Sequence, residues 1–164
     1  SHGLDQHRLD GVEIAAAAFT NLGRDHMDYH PTVEDYFAAK MRLFENLLAP
    51  DRPAVINRDG AYANEAEKIA RRTGRNVLTV GSNGETIKLL SVDANGFAQR
   101  LTLLAQGVTT TVELPLVGAY QVENALVAAG LAIAASEEPS RVLAALPTLK
   151  GVKGRLEIIG ERNG

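Results

Sequence analysis

The 164-residue sequence predicts an α/β fold: part of a mostly parallel sheet flanked by helices, with a small antiparallel subsheet. Three observations carry that prediction. The runs Val12–Thr20, Arg52–Asn57 and Asn76–Gly81 have apolar centres with little alternation, as strands covered on both faces do. Segments of helical period separate them, so the order is β-α-β-α-β and the strands run parallel. Further along, three alternating segments are punctuated by Asn95-Gly96 and Gln106-Gly107, which are hairpin signals.

Gly3 to Leu9 reads as a short helical turn before the first strand, and the polar loop Thr20–His30 follows that strand. Pro31-Thr32-Val33-Glu34-Asp35 is a helix start, with Thr32 as N-cap and Asp35 in the capping-box position. One helix is expected from Val33 to about Leu48, with an apolar stripe through Tyr36, Phe37, Leu43, Phe44 and Leu47, and Pro50 ends it. Asn57-Arg58-Asp59-Gly60 is a turn. Ala61–Thr73 is a second helix, stopped by Gly74. Thr86–Asp93, Phe97–Ala105 and Val108–Leu114 form the antiparallel subsheet. Ala119 to about Ala135 is rich in Ala, Leu and Val, so it reads as a mostly buried helix. Pro139–Leu146 is a shorter helix capped by Ser136 or Ser140, and Gly154–Ile159 is a last short strand.

The length fits one domain or part of a larger one, and 45% hydrophobic residues suffice for a buried core. A net charge of −3 provides no general basic field, so nucleic acid is not an expected partner. Without cysteine there is no disulfide, thiol nucleophile or cysteine zinc site, which fits a cytoplasmic protein. No apolar run reaches transmembrane length and no signal-peptide pattern opens the chain, so no membrane partner is expected either. Ser1-His2-Gly3-Leu4 has no initiator Met, and the chain reads as an excised piece whose first strand has been cut away.

The candidate site residues begin with the Thr20–His30 loop, which places His26 between Asp25 and Asp28 after a strand end. A metal ligand and a hydrogen-bonded structural histidine both remain open, because magnesium prefers oxygen donors. Lys40 falls on the apolar stripe of its helix. Such a lysine snorkels, pairs with an acid or loses its charge. Pattern alone favours snorkelling; the alternative is a reactive amine that takes up carbon dioxide as a carbamate. Gln6, His7 and Arg8 cluster near the first strand, and the planar fork of Arg8 suits a phosphate or carboxylate, against an ordinary solvated face. Asn124 offers a donor and an acceptor in an otherwise apolar helix, fit either for an adenine edge or for neighbouring backbone. Lys153 and Arg155 sit among glycines, as a phosphate clamp or a solvated turn. No G-x-x-x-x-G-K-[ST] phosphate loop and no Ser/His/Asp nucleophile pattern occur.

Together, Ser1-His2-Gly3-Leu4-Asp5-Gln6-His7-Arg8, the Thr20–His30 run, Tyr36-Phe37-Ala38-Ala39-Lys40, Gly118–Asn124 and Gly154-Arg155-Leu156-Glu157 resemble the Mur ligase family. These are ATP-dependent amide-forming enzymes of bacterial peptidoglycan synthesis. The first block is most similar to the branch that adds the third residue to UDP-MurNAc-L-Ala-D-Glu, with meso-diaminopimelate favoured over lysine. The resemblance covers essentially the whole chain. It implies that the sheet is a nucleotide-binding one and that the chain is the distal part of the central ATPase domain. The phosphate-loop segment, the N-terminal UDP-binding domain and the C-terminal domain would then be absent, and the piece inactive alone. It further implies a cytoplasmic, monomeric ligase that uses ATP and Mg2+, with UDP-MurNAc-dipeptide and a free amino acid as substrates. His26 and a carbamylated Lys40 would be the catalytic metal ligands, Gln6 and Arg8 would contact the UDP-muramoyl peptide, and Asn124 and Arg155 the nucleotide. The alternatives are another family member, such as the D-glutamate-adding enzyme, or a non-catalytic nucleotide-binding module. Gln121 stands where the family often has asparagine, and Gly60 where a second Asp is common, so the Asn57–Gly60 turn is left out of the expected site.

Overall fold

The computed structural model describes residues 2–23 and 29–152. Within them lie α1 (His2–Asp5), β1 (Ala17–Phe19), α2 (Val33–Arg42), a π-helical turn (Leu43–Leu47) and β2 (Pro53–Asn57). Then come α3 (Ala63–Arg72), β3 (Asn76–Gly81), β4 (Ile87–Asn95), β5 (Ala98–Ala105), β6 (Val108–Leu114), α4 (Ala119–Ala134), α5 (Pro139–Ala145) and a 3₁₀ turn (Leu146–Thr148). The strands form one sheet in the order β1-β2-β3-β4-β5-β6. β1, β2 and β3 are parallel, β4 joins β3 in parallel through Val80 and Ile87, and β4-β5-β6 is an antiparallel meander. The antiparallel part therefore extends the main sheet. Gln106 and Gly107 both take positive φ at the β5–β6 turn, the mirror-image geometry that matches strand twist.

Alternation along β2 divides the core into two layers. Val55 faces α4 and joins Val80, Leu101, Leu103 and Leu126 on one side of the sheet. Ala54 and Ile56 face α2 and α3 and join Phe19, Met41, Phe44 and Leu48 on the other. Strands buried this way lose the polar alternation of a one-sided sheet, which is why their sequences read as apolar runs.

Three expectations change. The first strand is shorter than Val12–Thr20, because β2 offers register partners only for Ala17, Ala18 and Phe19; Ile14 adds one parallel bridge to Leu48. The single helix to Leu48 instead ends in the π turn, where Leu48 N–H donates to Leu43 O at 2.8 Å. That widening leaves the Phe44 carbonyl to accept from Arg75 Nε at 3.0 Å and Thr73 Oγ1 at 3.3 Å, while Phe44 and Leu48 stay buried. α5 is capped by neither serine: the Glu138 carboxylate accepts from Arg141 N–H at 3.2 Å and from the Ser140 hydroxyl. The strand expected over 154–159 lies outside the described residues. Thr32 caps α2 as expected, its hydroxyl accepting from Asp35 N–H at 3.1 Å, and Gly74 closes α3 with φ +77°.

α4 approaches the sheet at Gly130, where a Cβ would lie 2.7 Å from Val55 Cγ1 and 3.0 Å from Val80 Cγ1. Those two valines are fully buried, so they have no room to retreat. Gly130→Ala is expected to cost about 1–3 kcal/mol through overpacking, against the usual gain of alanine in a helix. A lower urea midpoint with unchanged slope would show it.

Candidate active site at the carboxyl edge of the sheet

β1, β2 and β3 end at the same edge, where α4 begins. Open α/β sheets bind ligands at such edges, outside the carboxyl ends of their parallel strands. Asn57, the last residue of β2, is buried there. Its Nδ2 donates to the Thr20 carbonyl after β1 at 3.0 Å and to Glu123 Oε2 in α4 at 3.1 Å. Its Oδ1 accepts from Asp59 N–H at 3.2 Å. Asp59 in turn accepts from the backbone of Ser82 and Asn83 beyond β3, at 2.6 and 3.2 Å. The turn that sequence reasoning set aside thus ties the three strand ends to α4. Gly60 has a packing reason as well: a Cβ there would meet the Thr20 carbonyl at 3.1 Å and Asn21 Cβ at 3.3 Å.

Asn124 lies one residue beyond Glu123, exposed, its side chain without a hydrogen bond among the described residues. The expectation of an amide inside a buried helix is corrected here: Asn124 lies with Tyr120 and Ala128 on the outer face of α4, while the buried residues Val122, Ala125 and Leu126 cover the sheet. Its amide is open to a ligand.

Lys40 is half-buried in α2. It lines a cavity of about 100 Å³ with Leu4 of the α1 segment, Ala18, Phe19 and Thr20 at the end of β1, and Leu43 and Phe44. Its Nζ stands 4.9 Å from the centroid of the Tyr36 ring. Among the described residues it has no acidic partner. Neither escape to solvent nor pairing with an acid describes it; the aliphatic stem lies on the stripe and the amine stops over a ring. The cavity is large enough for the three atoms that carbamate formation adds.

The α1 segment is pinned across α2. Arg42 Nη1 donates to Leu4 O at 2.6 Å, and Nη2 reaches both carboxylate oxygens of Asp10 at 2.8 and 2.9 Å. Asp10 also accepts from His7 at 2.7 Å, and this bond, with Arg42, holds its carboxyl below the usual range. Gln6 Nε2 donates to the Tyr29 hydroxyl at 3.3 Å, and that hydroxyl donates to Asp5 at 2.8 Å. Arg8 is exposed with no ion pair among the described residues, which leaves its guanidinium available to an anion.

His26 and Arg155 lie outside the described residues. Among the described residues no group of three or more His, Cys, Asp or Glu side chains gathers to hold a metal. Lys40 and Asn124 each stand at the sheet edge, while Gln6 and Arg8 approach it through the pinned α1 segment. Sequence reasoning missed Asn57, Glu123 and His30. An amide closing an apolar strand was the available signal for Asn57; His30 and Glu123 fell within the Thr20–His30 and Gly118–Asn124 runs but were given no role of their own.

His30 is 4% exposed, and its Nε2 has no hydrogen-bond partner among the described residues. Beneath the edge, Arg58 binds Glu67 through Nε at 2.7 Å and Nη2 at 2.6 Å, and Arg71 Nε adds a bond at 2.9 Å. These bonds, the one from Arg58 foremost, outweigh burial and bring the Glu67 carboxyl down from 4.5 to about 2. The stabilisation from Glu67 is therefore complete above pH 4.5 and is lost as pH falls from there through about 2. Glu67→Gln is expected to lower stability near neutral pH by about 1–3 kcal/mol and to flatten that acid limb, read by denaturation at a series of pH values. His30→Phe keeps the ring and removes the unpartnered nitrogen, so it is expected to stabilise by about 1 kcal/mol in the same assay. A loss instead would reveal a partner for Nε2.

Comparison with known proteins agrees with this architecture. The family model described as "Mur ligase middle domain" matches residues 1–132. The chain is 54% identical over 168 residues to the UDP-N-acetylmuramoyl-L-alanyl-D-glutamate--2,6-diaminopimelate ligase of Bradyrhizobium diazoefficiens, covering 100% of this chain and 35% of that one. The ligase of the same name from Agrobacterium fabrum is 52% identical over 165 residues, covering 100% and 34%. The chain thus spans about a third of the length of the curated relatives it matches. A solved structure of a ligase of that name superposes with a TM-score of 0.85 at 35% identity, covering 98% of this chain and 33% of that one. The ADP complex of MurF from Thermotoga maritima superposes at 0.79 with 21% identity, covering 96% and 35%, a likeness of fold alone.

Proposed function

Because the chain belongs to the Mur ligase middle-domain family, we propose that it is the distal part of the central ATPase domain of a ligase that adds 2,6-diaminopimelate, in its meso form, to UDP-MurNAc-L-Ala-D-Glu. The observation that carries the reading is Lys40: a half-buried amine without an acidic partner among the described residues, in a cavity between the end of β1 and the α1 segment. The names and identities of the relatives favour this branch over the D-glutamate-adding enzyme.

In the proposed reaction the substrate's D-glutamyl carboxylate attacks the γ-phosphorus of ATP, giving an acyl phosphate and ADP. The amino group of diaminopimelate then attacks the acyl carbon, loses a proton and expels phosphate, leaving an amide. The residues of this chain orient and hold charge. Arg8 takes an anionic group of the muramoyl peptide, and Gln6, bonded to Tyr29, shapes the same segment. Asn124 presents its amide to the adenine edge, and Arg155 reaches the phosphates. Lys40, once its neutral amine has added carbon dioxide and released a proton, presents a carbamate anion, and His26 with that carbamate would hold Mg2+. The metal supplies neutralisation of charge on the transferring phosphoryl group. The phosphate loop belongs to a part of the parent protein outside this chain, so the chain alone is expected to turn over no ATP. The nucleotide-linked substrates place the reaction in the bacterial cytoplasm, and no described helix is long and apolar enough to cross a membrane.

The test is made in the full-length parent ligase. Lys40→Ala is expected to reduce kcat at least a hundredfold, on the order of removing one transition-state charge partner, as measured by phosphate release. Asn124→Ala is expected to raise the KM for ATP about tenfold, with kcat little changed, as loss of a ground-state contact does. Near-normal turnover by Lys40→Ala would refute the reading.

A further inference from the structure

We propose that Tyr36 is a positioning residue for Lys40, and that the ring stack His2–His30–Tyr36, edged by Tyr29, couples this lysine to the α1 segment that carries Gln6 and Arg8. The functional half of the proposal rests on the role given to Lys40 above; the geometric half stands without it.

The stack is continuous. Lys40 Nζ lies 4.9 Å from the Tyr36 centroid. Tyr36 is 4% exposed, and the His30 ring stacks on it at 5.2 Å and 27°. His30, equally buried, stacks on His2 of α1 at 5.9 Å and 22°. Tyr29 meets both imidazoles edge-on, His2 at 3.9 Å and His30 at 4.8 Å. The Tyr29 hydroxyl closes the path to Gln6 at 3.3 Å and Asp5 at 2.8 Å.

His30 and Tyr36 are buried in ring contact, so a tilt of Tyr36 presses on His30, and a shift of His30 presses on His2 and Tyr29. Close-packed groups of this kind shift between discrete positions rather than deforming smoothly. A substrate that draws on Gln6 therefore acts on Tyr29, and through the stack on the ring over which Lys40 stands. Arg42, in the same last turn of α2 as Lys40, also holds α1, and Leu4 of that segment lines the Lys40 cavity; the rings are the path that passes through Tyr36.

Two readouts in the full-length ligase test this. The first is the NMR shift of the Lys40 ε-methylene in protein labelled with 13Cε-lysine, because an aromatic face shields protons above it. Shielding is expected in the native enzyme and in Tyr36→Phe, and its loss in Tyr36→Leu. Adding UDP-MurNAc-L-Ala-D-Glu without ATP should move the signal in the native enzyme and leave it unmoved in His30→Ala. The second readout is kinetic: Tyr36→Leu should lower kcat about tenfold with the KM for ATP within about twofold, and Tyr36→Phe should restore the rate. Where Tyr36→Leu does not fold, the pair His30→Ala and His30→Phe decides, the phenyl ring keeping both shielding and rate and alanine losing them. An unshielded Lys40 in the native enzyme, or equal rates within either pair, overturns the proposal. Lys40→Ala with near-normal turnover removes the functional half alone, because the shielding arm remains valid.

Discussion

Asn57 closes β2 with one buried carboxamide that must satisfy three elements at once: the Thr20 carbonyl after β1, Glu123 near the start of α4, and the Asp59 amide in its own turn. Each bond alone is worth about 1 kcal/mol net, but an unmade one leaves a buried polar group bare at about 1–3 kcal/mol. The surroundings of Lys40 and Asn124 adjoin this arrangement. Thr20 lines the Lys40 cavity, and Glu123 precedes the exposed Asn124. Moving the carboxamide would move the lysine's surroundings and the nucleotide-side amide together.

Support for that edge comes from two devices of different range. Below it, the arginines Arg58 and Arg71 converge on Glu67 and, through Arg58, on Glu85, fastening the β2 turn to α3 and to the entry of β4. Beside it, Arg42 and the aromatic rings fasten α1 across α2. The ion cluster is electrostatic and mostly screened from solvent at Glu67. The ring stack is packing, and it keeps its strength in salt. A segment proposed to take a charged substrate is thus held partly by contacts that the substrate's own charge does not disturb.

What the sequence disclosed follows from how local each cause is. Thr32 caps α2, Gly74 ends α3 and Gly107 turns the β5–β6 hairpin through contacts a few residues away, and all three were legible. The π turn was not, because its reason is Arg75, 31 residues beyond Phe44. The Asn57–Gly60 turn was left out because Gly60 departs from the family pattern, and the role of Asn57 was illegible because its partners lie 37 and 66 residues off. At the α5 cap the error was one of position: the helix starts at Pro139, so Glu138 is the N-cap, Ser136 precedes it by two residues and Ser140 already lies inside the helix. Lys40 declared itself by breaking an apolar stripe, whereas its chemical role came from the family likeness. The exposure of Asn124 was hidden by the apolar average of a helix whose outer face carries Tyr120, Asn124 and Ala128.

Among the described residues a ring rather than an acid faces Lys40, and this fits the role proposed for it. A carboxylate in contact would bind the ammonium by several kcal/mol in a site of low effective dielectric, about 4 kcal/mol at a separation of 4 Å. It would also repel any carbamate formed on the same nitrogen. A tyrosine face offers an ammonium only about 0.5–2 kcal/mol, and it presents no fixed negative charge to an anion that replaces it. A lysine that must be held in place before modification and then turn its new charge toward a metal needs a partner of the second kind. The stripe position, the ring beneath Nζ and the adjoining cavity meet that need with side chains from one helix and one strand end.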